Sequence, residues 1–294
     1  MKKGELIAIA ILGMIFLLPF ASAGILNWIT GKASSQNLSM GATVSNTVPI
    51  ITYVAPISNQ DASENGAKTV TFKFTAYDHD NNGAIHDLAD GSARAEFLTG
   101  AEPTRYAACT FVDAQNTEKT SNYTCSVEMW YWDLAGSWKI NVTIQDASSA
   151  WAENSSTSFT YNQLTAFVMA PTTLNWTSLI PGAQNQGATN DPTVLNNTGN
   201  DPIDNIQINA TTLVGVTDPT KTIAGNNFTA KITDPACDGT ILKDDATYIQ
   251  IASAELLRGN NTQEDFYYCL DVPASLTKQT YDTSVNGAWT VKIV

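Results

Sequence analysis

From residue 70 to 76 the apolar side chains fall on every second position. Val70, Phe72, Phe74 and Ala76 share one face, and Thr71, Lys73 and Thr75 share the other. A period of two marks a half-buried β-strand, because successive side chains of an extended chain point to opposite sides. Comparable segments recur at 95–98, 106–111, 123–132, 138–144 and 158–161. Asn65-Gly66 and Asn82-Gly83 supply turn signals between them. No window beyond the N-terminal leader sustains a 3.6-residue period, so the spacing predicts an all-β chain. Its first part reads as an antiparallel β-sandwich of about seven strands.

After Gln163 the chain passes Pro171, Pro181-Gly182 and a stretch rich in Gly, Asn, Asp and Pro. A second set of strand-like segments follows at 193–195, 206–210, 228–232, 248–251, 266–272 and 289–293. Residues 252–258 read as a short helical turn. The expected organisation is a signal peptide or retained N-terminal helix at 1–23 and a Gly/Ser/Thr/Asn-rich linker at 24–47. Two tandem antiparallel β-sandwich domains, immunoglobulin-like in architecture, would then occupy 48–164 and 165–294.

Both parts carry one skeleton. The first has Cys109, then Tyr123-Thr124-Cys125, then Gly136-Ser137-Trp138. The second has Cys237, then Tyr267-Tyr268-Cys269, then Gly287-Ala288-Trp289. The order and spacing of these landmarks favour disulfides Cys109–Cys125 and Cys237–Cys269 over the two other pairings. Each would close a short loop and contribute about 3 kcal/mol. Trp138 and Trp289 read as core anchors. Tyr two residues before Cys is similar to the tyrosine corner of immunoglobulin domains. Cys109 lies too near Cys125 for the usual bridge between two sheets, so a bridge between neighbouring strands is expected.

Lys2 and Lys3 precede an uncharged apolar run at 6–20, broken by Pro19 and followed by Ala21-Ser22-Ala23 and Gly24. That is the pattern of a secretory signal peptide cleaved after Ala23. Two other readings stay open. The apolar stretch, continued through Leu26, reaches the length of a retained membrane anchor. Lys2-Lys3-Gly4-Glu5 also resembles the cleavage site of archaeal prepilins, which would leave the apolar segment as the core helix of a pilin-like filament. Asn-x-Ser/Thr sequons at Asn37, Asn122, Asn141, Asn154, Asn175, Asn196, Asn209, Asn227 and Asn260 fit an exported, glycosylated protein. Asn141 and Asn209 sit at polar positions of alternating segments. The net charge of -13, with no basic residue between Lys139 and Lys221, argues against a nucleic-acid partner. With 43% hydrophobic and 15% charged residues the chain can fill a core, which argues against disorder.

Several short motifs together resemble a family. They are the leader followed by Gly24, Trp28 and Ile29-Thr30-Gly31-Lys32-Ala33, the loop Asp78-His79-Asp80, and the run Trp130-Tyr131-Trp132-Asp133-Leu134-Ala135-Gly136-Ser137-Trp138. Asn196-Asn197-Thr198-Gly199-Asn200 and Asp271-Val272-Pro273 extend the likeness into the second half. The chain resembles exported multi-domain β-sandwich surface proteins of uncultivated, DPANN-type archaea. The resemblance implies an extracellular or cell-surface role and no particular ligand.

Few residues offer chemistry. Asp78, Asp80, Asn82 and Gly83 match the first half of a D-x-[DN]-x-[DN]-G calcium loop, with Asp87 and Asp90 downstream. Position twelve is Ala89 rather than the bidentate Glu, so Asp87 or Asp90 would have to substitute. Calcium is the one cofactor expected, and none is required. His79 and His86 flank the loop and read as solvated histidines, since oxygen ligands around two imidazoles suit zinc poorly. In the run Trp130-Tyr131-Trp132, a core-facing Tyr131 would turn Trp130 and Trp132 outward. There they could stack on a sugar ring or a protein, with Trp151 a third member, or be covered by neighbouring structure. Asp234, Asp238, Asp244 and Asp245 surround Cys237 in a turn-rich stretch and read as solvated acids rather than a glycosidase pair.

The expectation is a non-enzymatic surface protein acting in adhesion or envelope structure by binding glycan or protein. Self-association in a pilin-like or S-layer-like lattice is the alternative. An accessory module of a carbohydrate-active enzyme ranks below both.

Overall fold

The computed structural model describes residues 39–80, 87–88, 92–101, 103–115, 119–233, 237–244 and 247–294. The leader, Asn37, Asn82, Gly83, His86, Ala89, Asp90, Asp234 and Asp245 lie outside the described residues. Residues 39–45 have no regular secondary structure. Among the described residues no helix is long and apolar enough to cross a membrane. Residues 46–294 form one compact, all-β unit.

Its first part contains β1 (Ile50–Val54), β2 (Gln60–Asp61), β3 (Ala67–Tyr77), β4 (Ser92–Leu98), β5 (Arg105–Gln115), β6 (Thr120–Trp130), β7 (Gly136–Gln145) and β8 (Trp151–Asn162). The predicted sandwich needs a correction, because these strands are bonded along one path, β1-β3-β6-β5-β4-β7-β8-β2, and not in two separate sheets. The path changes layer at β5: Ala107 and Ala108 pair with β4, whereas Cys109 and Thr110 pair with β6. The sheet thus curls over on itself. At its margin Asn154 Nδ2 of β8 donates to Ile51 O of β1, at 3.4 Å. All of these pairings are antiparallel except the two-residue match of β2 with β8.

The inner face of the curl is the period-two face of the sequence. Val70, Phe72, Phe74 and Ala76 of β3 are buried with Tyr123, Cys125, Val127 and Met129 of β6. Trp138, Ile140, Val142 and Ile144 of β7 close the core from the other layer. Phe72 meets Phe97 with ring centroids 5.8 Å apart, joining β3 to β4 across the interior. Asn65 turns the chain into β3 at φ 50°, a left-handed conformation that Asn tolerates.

The second part is built from shorter pieces. β9 (Phe167–Ala170), β11 (Thr193–Asn197), β15 (Phe228–Lys231), β16 (Thr240–Ile241) and β18 (Gln263–Leu270) form one sheet, joined at β18 by β10 (Gln186–Gly187). Two three-stranded sheets complete it. One contains β12 (Ile206–Asn209), β17 (Ile249–Gln250) and β20 (Thr290–Ile293); the other contains β13 (Leu213–Gly215), β14 (Thr222–Ile223) and β19 (Tyr281–Asp282). Leu195, Ile206, Ile208, Phe228, Phe266 and Leu270 belong to a second core. The helical turn expected at 252–258 is absent: Leu256 makes an isolated bridge to Ile203, bonding N to O and O to N at 2.7 and 2.8 Å. Tertiary pairing there outweighs a weak local propensity.

The two disulfides join Cys109 to Cys125 and Cys237 to Cys269, leaving no free cysteine. Cys109 and Cys125 are direct cross-strand partners of β5 and β6, with Cα atoms 4.3 Å apart. Cys237 instead ties a loop to β18.

A polar junction links the two parts. Asn65 N donates to Thr198 O at 3.0 Å, and Thr198 Oγ1 to Glu64 Oε1 at 2.9 Å. Asn200 Nδ2 donates to Asn162 O at 3.0 Å, and Asn200 Oδ1 accepts from Leu164 N at 2.6 Å. Asn197, Thr198 and Asn200 are all buried. Gly199 is required there: a Cβ on it would stand 2.0 Å from Leu164 O.

Candidate functional site

Three carboxylates from distant parts of the sequence converge at one end of the curled sheet. Asp78 follows the last residue of β3, Asp87 lies in the connection to β4, and Asp146 follows β7. Asp78 is fully buried and Asp87 and Asp146 are each 3% exposed. Each offers a carboxylate oxygen, and these oxygens lie within 4.8 Å of one another.

Local structure places each of them. Asp78 N donates to Lys119 O at 2.9 Å, which extends the β3–β6 ladder by one step. Leu88 is buried in the core and its carbonyl accepts the Tyr123 hydroxyl, so the neighbouring Asp87 is fixed from inside. Asp146 closes the turn into β8 by accepting Ala150 N on Oδ1 at 2.7 Å, while Ser149 takes φ 73°. Ala147 N then donates to Asp87 Oδ1 at 2.9 Å and stitches the two loops together.

The chain entering β1 covers the cluster. Asn46 Nδ2 donates to Asp146 Oδ2 at 2.9 Å. The Thr47 hydroxyl lies 2.7 Å from Asp78 Oδ1 and 2.6 Å from Asp80 Oδ1, and Thr47 N donates to Asp80 Oδ2 at 2.9 Å. A hydroxyl has one proton, so it cannot donate fully to both carboxylates. Asp78 Oδ2 is buried with no hydrogen-bond partner among the described residues.

The charges respond accordingly. Burial, followed by the adjacent Asp80, pushes the Asp78 carboxyl up to about 6. Asp80 is held below the usual carboxylate range by its hydrogen bonds with Asp78 and Thr47. Burial and then the Asp146 charge raise Asp87. Among the described residues the donors that serve Asp78, Asp87 and Asp146 are backbone amides, an amide side chain and a hydroxyl, all neutral. Among the described residues the ion pairs are Arg105–Asp133 and Lys231–Asp238, and neither reaches the cluster. A buried acidic cluster of this composition can coordinate a metal ion.

Of the local calcium-loop pattern, the described residues are brought together only in part. Asp78 and Asp87 converge, but their third partner is Asp146, which the sequence pattern did not single out. Asp80 faces Thr47. Asn82 and Asp90, also expected as ligands, lie outside the described residues. Asp146 and the covering Asn46 and Thr47 carry no motif of their own. The one available signal is that Asp146 directly follows an alternating strand and opens a Ser-rich turn.

His79 is exposed, with Nδ1 3.3 Å from the Tyr77 hydroxyl. Asp238 pairs with Lys231 at 2.6 Å and Asp244 accepts the Thr212 hydroxyl, so these acids are engaged locally.

The aromatic run behaves differently from a free platform. Tyr131 is buried, continuing the inward face of β6, and its hydroxyl accepts Asn261 N at 3.3 Å. Trp130 and Trp132 are half-buried and stack on each other, with centroids 4.8 Å apart and planes at 15°. Trp132 O accepts Arg258 Nη1 at 2.5 Å. The strand stops at Trp130 because Asp133 Oδ2 takes its amide at 2.7 Å, and Asp133 is clamped by Arg105. Trp151 is 57% exposed but pairs with Gln145, at the end of β8 opposite Tyr161, whose hydroxyl bonds Trp130 O. The structure thus does not bring Trp151 to Trp130 and Trp132.

Trp138 is a core anchor, fully buried with its indole N–H on Leu134 O at 2.8 Å. Trp289 is half-buried, packs edge-on against Phe228 at 4.8 Å, and donates to Thr211 O. It also lines a cleft of about 350 Å³ with Met169, Leu174, Trp176 and Tyr268. That cleft lies in the second part, away from the acidic cluster. Of the described sequons, Asn175 and Asn260 are exposed, while Asn122, Asn141, Asn154, Asn196, Asn209 and Asn227 are half-buried. Asn141 and Asn209 do occupy the outward positions of β7 and β12, yet their Oδ1 atoms are sealed from solvent.

No family model matches the chain, and no curated protein is significantly similar to it. Among solved structures it is similar to a chain of a chaperone–tip adhesin complex of CFA/I fimbriae, at 9% identity and a TM-score of 0.30, covering 85% of this chain and 90% of that one. It is also similar to a protein from Corynebacterium diphtheriae described as membrane-anchored, at 10% identity and a TM-score of 0.22. That match covers 84% of this chain and 54% of the other.

Proposed function

We propose that this is an exported, non-enzymatic β-protein of the cell surface that acts in adhesion or envelope structure by binding glycan or protein. The observation that carries the reading is the oxidised pairing of all four cysteines, with one bridge between neighbouring strands and the other tying a loop to a strand. Such bridges persist outside reducing compartments. The leader pattern, the exposed sequons at Asn175 and Asn260, and the resemblance to archaeal surface proteins point the same way. On this reading residues 48–164 and 165–294 act as two β-modules.

Binding would use aromatic surface. The cleft around Trp176, Tyr268 and Trp289 combines apolar walls with polar edges at a volume suited to a small ligand or a side chain. The Trp130–Trp132 stack offers its outer faces beside the junction. Glycan-array binding by the purified chain that is lost on Trp176→Ala or Trp130→Ala supports the reading. Four titratable thiols in native material would sink the surface placement. N-terminal sequencing completes the test: a start at Gly24 agrees with ordinary export, and a start at Glu5 turns the assignment to a pilin-like subunit.

A further inference from the structure

We propose that Asp78, Asp87 and Asp146 form a binding site for one calcium ion, which pins the segment entering β1 to two loops at the end of the curled sheet. Two oxygens bound to a single calcium at about 2.4 Å stand no more than about 4.8 Å apart, and the three carboxylate oxygens meet that limit. Magnesium demands a strict octahedron and keeps several of its waters, for which three almost fully buried carboxylates leave little room. The donors are all oxygen, which selects a hard cation over zinc.

The independent observation is Asp78 Oδ2. It is buried within a residue of zero exposure, and among the described residues no hydrogen-bond donor reaches it. A buried anionic oxygen without a donor is costly, and a native structure rarely leaves one unexplained. A divalent cation placed among the three carboxylates supplies the missing charge and the missing partner together. Because the ligands come from the end of β3, its connection to β4 and the turn after β7, binding ties three chain segments. Asn46 and Thr47, bonded to Asp146, Asp78 and Asp80, are tied with them.

The test is calorimetric titration of the full chain with calcium chloride, followed by hydrogen–deuterium exchange. One saturable site is expected, with Kd on the order of 10⁻⁴ M as in extracellular modules. Calcium should slow exchange at 46–48, 78–80, 87–88 and 146–150 and leave 165–294 unchanged. Asp146→Asn and Asp87→Asn should each weaken binding at least about tenfold, and Asp80→Asn less. The absence of saturable heat overturns the proposal, as does protection confined to other segments. So does an Asp80→Asn variant that loses binding while a folded Asp146→Asn variant keeps it, since the site would then be the local loop. Exchange on the unaltered chain decides the question even if a variant fails to fold.

Discussion

The two halves carry the same landmarks, Cys, Tyr-x-Cys and Gly-[Ser/Ala]-Trp, and put them to different structural use. In the first, β3, β5 and β6 run for eleven residues each and Cys109 stands directly opposite Cys125. Trp138 is sealed beneath the curl. In the second, β11, β12, β15 and β20 have only four or five residues and Cys237 sits in a loop. There Trp289 packs at the edge of a cleft. Tyr123 is buried with its hydroxyl on Leu88 O, whereas the matching Tyr267 is half-buried and its neighbour Tyr268 takes the core position. A shared motif thus identifies which residues are near a bridge. Strand length determines whether those residues end in a continuous core or on a ligand-sized opening.

The difference predicts unequal costs at matched positions. Trp138→Ala should destabilise the protein by about 4–5 kcal/mol, since a fully buried aromatic leaves a cavity that the curled sheet cannot close. Trp289→Ala should cost roughly half as much, and the two chemical-denaturation midpoints should differ accordingly. Equal losses would erase the contrast. Replacing both cysteines of a pair by Ser should cost about 3 kcal/mol for Cys109–Cys125 and a few tenths more for Cys237–Cys269. The sequence separations are 16 and 32, and loop-closure entropy grows slowly with length. Thermal melts of the two double variants test this order.

A junction of buried, hydrogen-bonded polar groups ties the halves together. Gly199→Ala should cost about 3 kcal/mol, because its methyl group would collide with Leu164 O and displace a buried hydrogen-bonded turn. Unfolding followed separately by near-ultraviolet circular dichroism and by exchange should then resolve two transitions. Arg258→Ala removes one bond to Trp132 O across the same junction, and a loss of about 1 kcal/mol in the melting experiment is expected.

Most strands were legible in the sequence because alternation is a local property. Val70 to Ala76, Ile140 to Ile144 and Leu195 with its neighbours state their own inward faces. The weak points were short or featureless strands. β13, β14, β16 and β19 have two or three residues, too few to show a period. The stretch 151–157 of β8, with five polar residues and Trp151 exposed, shows no clean apolar face. At 252–258 a helix-compatible segment was captured by the bridge between Leu256 and Ile203.

For the acidic cluster, the local spacing contains Asp78 and Asp87, which converge, and does not contain Asp146, which joins them. A loop motif supposes that ligands close in sequence are close in space. Here Asp146 is brought in by the turn after β7, and Asp80 is turned to Thr47.

Period and spacing along single segments state the β-character of the chain and the inward faces of its longer strands, and they favour the two cysteine pairs that form. The tertiary structure alone decided that one path of strands curls into both layers and that residues 196–200 form the seam. It also decided that Asp146 joins Asp78 and Asp87. The reason is physical: a period of two tells a side chain which face to take, but strand order decides which distant side chain it meets there.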